Sequence, residues 1–449
     1  MTIGGSFDEL RSAIDAGVIR EVIVALPDTQ GCLKGTRVGA RHFLSGYRDG
    51  FPACDYLLAS DVDMTAIAEL FLGDEAARFG DFTLRLDPRS IRTLAWDPGT
   101  ALVLGDPVDL RGDPVRVAPR QVLTDQLDAL AQLGLAAFTG NELEFIIFRE
   151  SYESAAELGY QRLHPATRHN VDYSLTGLEA ITPVTRAIRD AMSATGLDIE
   201  TARAECHPGQ YEIVFSYSDA ITTCDNHVLY KTGAKQIAAE HDVSLTFMPK
   251  YDMGEGNSCH IHLSLRDTEG RSAFARSDEQ PHEMSRLMEH FIAGQLACMA
   301  EFTVMFAPNI NSYKRMAPEA FAPSVAGWGR DDRTRAVRVV GAGPGLRIEH
   351  RLGGGDANPY LATAAILAAG RYGIENELPL FDEQAPDHTY PSLPGTLRAA
   401  TDRWQRSERA REYFGDDVVD YFARAYHSEA DSYDSAVTDW ERRRGFERL

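Results

Sequence analysis

The chain has 449 residues, 44% of them hydrophobic and 25% charged, so it is long enough for two or three domains and too balanced for wholesale disorder or a fibrous chain. Its 45 basic and 67 acidic side chains leave a net charge of −22, an acidity that argues against general binding to nucleic acid or a membrane surface. The longest small-apolar run, Leu361 to Gly370, is about half of the ~20 residues needed to cross a bilayer. The opening MTIGGSFDELRS has no secretory pattern, and six scattered cysteines (Cys32, Cys54, Cys206, Cys224, Cys259, Cys298) without a CxxC pair read as reduced thiols of a cytoplasmic protein.

In chain order, Asp8 to Ala16 is predicted as a short helix. Val22 to Leu26 follows as an apolar strand, Pro27 to Gly31 as a turn, and Leu33 to Val38 as the returning hairpin partner. Phe82 to Leu104 is strand-rich. Gly105 to Pro119 carries three prolines and several acids, and the boundary between two domains is placed there. Next comes a helix with Val122, Leu123, Leu127, Leu130 and Leu133 on one face and Gly134 as its stop. Glu142 to Phe148 reads as a strand. A second helix starts after Pro183, with Val184, Ile188 and Met192 on one face and Gly196 at its end. Strands are predicted at 204–215 and 258–265, a helix at 283–302, and helical spacing from 396 to 445. Strands and helices in this order give an α+β class.

Four segments place polar ligands at strand spacing. Glu142 and Glu144 share one strand face while Leu143 and Phe145 point the other way; His260 and His262 form a second such pair. Arg347, Glu349 and Arg351 form a third. Glu205 and Glu212 flank a Pro-Gly turn that can fold them together. Period-2 polar residues also make the wet face of a sheet, but a wet face mixes Lys, Thr and Ser. These faces contribute five Glu, two His and two Arg, with no Lys. Five carboxylates and an imidazole match one or two hard divalent cations such as Mg²⁺ or Mn²⁺, without which they would repel.

Arg330, Arg333, Arg335, Arg338, Arg347 and Arg351 fall within 22 residues, again without Lys. Arginine is the residue of choice for gripping carboxylate or phosphate with a planar fork. Carboxylates, cations and arginines together point to phosphoryl transfer. The chain has no GxxxxGK[ST], HExxH or GxSxG, and the glycine run 341–345 follows no βαβ pattern.

The runs NELEF (141–145), ECHPGQYE (205–212), FMPK (247–250), GNSCHIHLSL (256–265), NINSYKR (309–315), RIEHR (347–351) and NPYLATAA (358–365) resemble the glutamine synthetase superfamily in order and separation. The resemblance covers essentially the whole chain. It implies a small N-terminal β-grasp domain, residues 1–113, and a catalytic domain, residues 114–449, whose antiparallel strands form a half-barrel surrounded by helices. It also implies a cytoplasmic, ATP-dependent carbon–nitrogen ligase. Glutamate is phosphorylated on its γ-carboxylate and an amine displaces the phosphate, with two or three Mg²⁺ or Mn²⁺ ions per active site.

By the same resemblance Glu144, Glu205 and Glu212 form a first metal site, and Glu142, His260 and Glu349 a second that holds nucleotide phosphates. His262 and Ser264 contact the nucleotide. Arg315 and Arg351 grip glutamate's carboxylates, with Gly256 giving close backbone approach. Arg333, Arg338 and Arg347 clamp phosphate and the transition state. The family's assembly, a dodecamer of two hexameric rings with sites between neighbours, is carried over, so the region from Cys54 to Asp63 would complete a neighbour's site.

Departures from the family pattern bear on the amine. The mobile flap glutamate of ammonia-using members is replaced by Phe321, within the run from Ala320 to Pro323. A DGSS-like turn is replaced by the sequence from Ala53 to Leu57. Glu255 stands where those members often have asparagine, and their NLYDLP-like segment is absent. The pattern is therefore more similar to the γ-glutamyl-amine ligases, and most similar to γ-glutamylethanolamide synthetases, with methylamine or polyamine ligases, an ammonia-using glutamine synthetase and an inactive paralogue as the alternatives. Phe321 would give the amine's carbon chain an apolar wall, and Asp55 or Tyr173 would meet its far end.

Overall fold

The computed structural model describes residues 5–71, 80–277, 280–317, 321–383 and 391–449. Residues 1–4 of the opening segment, and Ala320 beside Phe321, lie outside them. Among the described residues the chain builds two large sheets and a two-stranded ribbon, Ala275–Ser277 with Gln280–Met284.

The smaller sheet forms first. A helix, Phe7–Asp15, starts at Ser6, whose hydroxyl accepts the Glu9 N–H, and buries Leu10, Ala13 and Ile14. Strand Glu21–Pro27 pairs antiparallel with Leu33–Gly39 and parallel with Thr100–Val108. Asp81–Leu86 and Phe51–Cys54 extend the sheet beyond Thr100–Val108, the mixed order expected of a β-grasp. The hairpin turn is held by the Asp28 carboxylate, which accepts from the N–H groups of Gln30 and Cys32. Gly31 takes a φ of +72° there, and a Cβ would come within 3.2 Å of Asn358. Asn358 in turn donates to the carbonyls of Asp28 and Thr29, which fastens this turn to the larger part of the chain.

The larger sheet has nine strands. Its centre is Leu135–Phe148, flanked by Cys259–Asp267 on one side and Gln210–Phe215 on the other, both antiparallel. Arg347–His350, Val337–Val340 and Trp328–Arg330 continue one edge, and Ile199–Ala204 forms the other. Helices cover the sheet. The two longest, Ala220–Glu240 and Arg286–Phe306, have 21 residues each. Arg286–Phe306 packs on Pro359–Glu375 closely enough that a Cβ on Gly294 would lie 2.0 Å from the Ala369 carbonyl oxygen.

Four differences from the sequence reading have local causes. Leu133 falls just past the helix Pro119–Gln132 and is exposed. The stretch 204–215 is two strands, Ile199–Ala204 and Gln210–Phe215, because Gly209 turns the chain at a φ of +76° with no room for a Cβ. The helix expected from residue 283 starts at Arg286, capped by Ser285. The helix Ala220–Glu240 carries no single apolar stripe, since Ile221, Cys224, Val228, Leu229 and Ile237 wrap around it, so periodicity does not reveal it. The run Leu361–Gly370 is the buried body of the helix Pro359–Glu375, and no helix among the described residues is long and apolar enough to cross a membrane. All six cysteines are free.

Candidate active site

The pleat of the central strand does what its sequence implies. Leu143 and Phe145 are buried beneath the sheet, while Glu142 and Glu144 stand on the opposite face. Register then assembles the rest. His260 lies opposite Glu142, Glu212 opposite Glu144, and Glu349 lies opposite both His262 and Arg338.

Two carboxylate groups result. Ligand atoms of Glu144, Glu205 and Glu212 all lie within 4.8 Å of one another, and so do those of Glu142, His262 and Glu349. In the first group Arg203 makes the ion pairs seen among the described residues. Its Nε donates to Glu205 at 2.9 Å and its Nη2 lies 2.7 Å from Glu212. Glu144 accepts from the Ser258 N–H at 2.7 Å and from Gln210 Nε2 at 3.0 Å. Burial and the charge of Glu144 push the Glu205 carboxyl up to about 7. Burial, then Glu142 and Glu144, raise Glu212 well above the carboxylate range.

The second group is compensated. Burial alone would raise Glu142, but hydrogen bonds from His260 and His262 outweigh it and hold the carboxyl below its ordinary range. Glu349, opposed by burial, is drawn down by His260 and Arg351. Arg338 donates to Glu349 at 2.8 Å and also bonds Asp331, and Arg351 bonds the other oxygen of Glu349. Arg347 Nε donates to His262 Nδ1 at 3.1 Å, so the neutral ring carries its proton on Nε2, which donates to Glu142 at 2.9 Å. His260 Nδ1 has no such outside donor and faces Glu142 at 3.5 Å and Glu349 at 3.4 Å.

These groups line a cleft of about 470 Å³. Arg315 and Arg351 are on its wall, and the buried Arg315, 5% exposed, donates among the described residues to the backbone carbonyls of Leu352 and Arg351. Gly256 leaves a Cβ just 2.1 Å from the Pro249 carbonyl oxygen, so no other residue fits. Phe321 and Tyr173, both largely exposed, also line the cleft, as does the exposed Arg333. Tyr173 has a φ of +52° and its ring lies 5.4 Å beneath the Arg203 guanidinium. Of the sequence candidates, His262, Ser264 and Arg347 lie on the adjoining strands outside the cleft lining, and Asp55 is buried in the short turn Asp55–Leu57 that follows the strand Phe51–Cys54, also outside the lining.

Sequence reasoning missed Arg203, Gln210 and Asp172. Arg203 stands two residues before Glu205 and Gln210 two before Glu212, so the same period-2 rule would have found both. Asp172 is in an irregular loop, and no pattern marks it.

The donor chemistry fits a hard divalent cation. Three carboxylates with one arginine, two of them raised above the carboxylate range by burial and then by their acidic neighbours, lack the positive charge that Mg²⁺ or Mn²⁺ would supply.

Comparison with known proteins shows the family of the chain. Residues 116–445 match the family model described as glutamine synthetase, catalytic domain. The gamma-glutamylethanolamide synthetase GlnA4 of Streptomyces coelicolor is 48% identical over 447 residues, covering 98% of this chain and 96% of that protein. The glutamate–isopropylamine ligase of a Pseudomonas species is 32% identical, covering 96% of each chain. The solved structure of a GmaS/ADP complex superposes with a TM-score of 0.85 at 27% identity, covering 98% of this chain and 99% of that one. The chain belongs to the glutamine synthetase family and is a carbon–nitrogen ligase.

Proposed function

We propose that this ligase joins the γ-carboxylate of glutamate to ethanolamine, using ATP and passing through γ-glutamyl phosphate. The observation that carries the reading is the pairing, in one cleft, of an under-compensated carboxylate group with a buried arginine that forms no ion pair with a carboxylate among the described residues. The first points to a cation, the second to an anionic substrate. The 48% identity to a gamma-glutamylethanolamide synthetase supports the choice of amine.

In this reading Glu144, Glu205 and Glu212 hold one Mg²⁺ or Mn²⁺, and Glu142, His260 and Glu349 another. The tautomer that Arg347 imposes on His262 supports His260 as the imidazole ligand and His262 as the group that orients Glu142. Bound cations neutralise charge on the transferring phosphoryl group. Arg315 and Arg351, with the close backbone at Gly256, take the carboxylates of glutamate. Arg338 and Arg333 face the γ-phosphoryl oxygens, Arg347 and Ser264 the nucleotide. A γ-carboxylate oxygen attacks the terminal phosphorus and ADP leaves. The amine nitrogen then attacks the acyl carbon, the C–O bond to phosphate breaks, and the nitrogen releases a proton.

Phe321 supports an organic amine over ammonium. An apolar wall offers a bare cation nothing, while each buried CH₂ gains about 0.8 kcal/mol. We carry the division at 113/114 and a two-ring dodecamer as part of the proposal, the latter open to light scattering. Phosphate release with glutamate and ATP against ammonium, methylamine, ethanolamine, isopropylamine, putrescine and spermine tests the reading. Ethanolamine should show the highest kcat/KM, and a higher value for ammonium would contradict it.

A further inference from the structure

Behind the face that carries Glu142 and Glu144, the large sheet has a second polar place. Asn141, one residue before Glu142 on the pleat, points the other way, toward the helix Ala220–Glu240. Thr223, His227 and Tyr230 recur there on one face of that helix. Between the two layers lies a cavity of about 20 Å³. Part of its polar lining is bonded elsewhere. Thr223 donates to the Thr139 carbonyl at 2.8 Å, Ser216 donates to Asp198 at 2.9 Å, and Asn226 accepts from Arg92 at 3.4 Å. Three lining atoms differ: Asn141 Oδ1, His227 Nε2 and the Tyr230 hydroxyl have no hydrogen-bond partner among the described residues. The three residues are 8%, 4% and 1% exposed, and a buried polar group left unpaired costs free energy.

The three atoms are chemically complementary. Burial first, and then Lys231, hold the His227 imidazole well below its ordinary range, so the ring is neutral. Asn141 Nδ2 donates to His227 Nδ1 at 3.2 Å, which puts the ring proton on Nε2. The cavity therefore meets one N–H donor, one carbonyl acceptor and a hydroxyl that can act as either. Turning the Asn141 amide over exchanges donor and acceptor and leaves the count unchanged. A water molecule needs roughly 10–15 Å³ and two to four polar partners, and this cavity offers both. A bare cation would meet an N–H in either arrangement, and an apolar guest would leave all three atoms unpaired.

We infer that this cavity is a built site for one water molecule, which accepts from His227, donates to Asn141 and bonds the Tyr230 hydroxyl, and that this bridge positions the strand presenting Glu142. Asn141 immediately precedes Glu142, so a tether from its side chain to the helix limits how far the Glu142 backbone can shift. The positioning role rests on the metal reading above, whereas the water site stands on the cavity alone.

A crystal structure of the full wild-type chain that shows ordered water decides the site. A density peak within about 2.6–3.2 Å of all three atoms is expected. An empty cavity, or direct bonds among the three side chains, would overturn the inference. Thermal melting of Tyr230→Phe, His227→Leu and the double variant reads the bridge in solution. Tyr230 and His227 share no hydrogen bond of their own among the described residues, so a shared water makes the double variant lose less than the sum of the singles. Strictly additive losses would contradict the bridge. Calorimetric titration with Mn²⁺ reads the positioning role. His227→Leu, or Tyr230→Phe should the former not fold, should bind Mn²⁺ roughly threefold to tenfold more weakly, less than the ~10–100-fold that follows loss of a group bonded to a metal ligand itself. His227→Gln, which keeps a polar group toward the cavity, should recover most of the affinity. Unchanged Mn²⁺ affinity in the folded variant would overturn the positioning role. Should wild type bind no Mn²⁺, the metal reading fails, while the density still decides the water site.

Discussion

Two clusters of buried carboxylates in this molecule are built in opposite ways. Around Arg120, 3% exposed, Asp106 and Asp225 each accept a pair of guanidinium hydrogen bonds and Asp87 a fifth, at 2.6–3.1 Å. Tyr360 adds a bond to Asp225, and Arg89 adds two to Asp87. Burial opposes the charge on Asp87, but hydrogen bonds from Arg89 and Arg120 outweigh it and hold the carboxyl at about 2. This cluster ties the smaller sheet to the helices Pro119–Gln132, Ala220–Glu240 and Pro359–Glu375. In the cleft, Glu205 and Glu212 share Arg203 while Glu144 beside them is held by hydrogen bonds from Ser258 and Gln210, and burial and mutual repulsion leave Glu205 near 7. A carboxylate cluster that carries its own cations serves the fold, and one that lacks them has a place for a cation from outside.

The largest effect on activity should come from Glu144→Ala. It removes a third of the donor set, and amide formation with Mg²⁺ or Mn²⁺ should be abolished, while the metal-free protein stays folded because repulsion on Glu205 and Glu212 falls. Glu144→Gln, which keeps an acceptor for the Ser258 N–H, should be equally inactive. Near wild-type turnover in either would reject the metal assignment. Arg120→Met should do the reverse. It strands two buried carboxylates, Asp87 and Asp225, and the half-buried Asp106 at a cost on the order of 3–5 kcal/mol, so thermal melting should drop steeply or the protein fail to fold. A melting temperature close to that of wild type would show that the hub is not structural.

Asp87 in the one cluster and Glu205 in the other should also answer pH in opposite senses. The folded pKa of Asp87 lies below its ordinary 3.8, so its contribution is present above that value and lost as pH falls through about 2. The folded pKa of Glu205 lies above its ordinary 4.5, so its contribution is full below 4.5 and lost as pH rises through about 7. Because protons and cations compete for Glu205, the rise in melting temperature on adding Mn²⁺ should grow between about pH 5 and pH 8. A stabilisation that is flat or falling over that range would contradict the under-compensated site. The smallest shift is expected from Phe321→Glu, which returns a carboxylate to the cleft. The ratio of kcat/KM for ammonium over ethanolamine should rise, by the order of 0.8 kcal/mol for each CH₂ no longer buried. An unmoved ratio would make Phe321 a packing residue only.

The strand faces were legible because a pleat turns spacing directly into direction. Glu142, Glu144, His260 and Glu349 meet where period-2 reasoning puts them. Arg203 was legible by the same rule and overlooked. Asp172 was not, because its loop places it through the fold alone. The Arg120 hub was equally hidden, since its four charged members lie up to 138 residues apart in sequence and share no motif. The helix Ala220–Glu240 escaped because packing on several sides erases the stripe that marks a helix.

The central claim is best tested by mass spectrometry of one competition mixture: the enzyme with glutamate, ATP, Mg²⁺ and equal concentrations of ammonium and ethanolamine. The account predicts γ-glutamylethanolamide as the main product, and none when EDTA is added. Glutamine as the main product, or amide formation undiminished by EDTA, would contradict it.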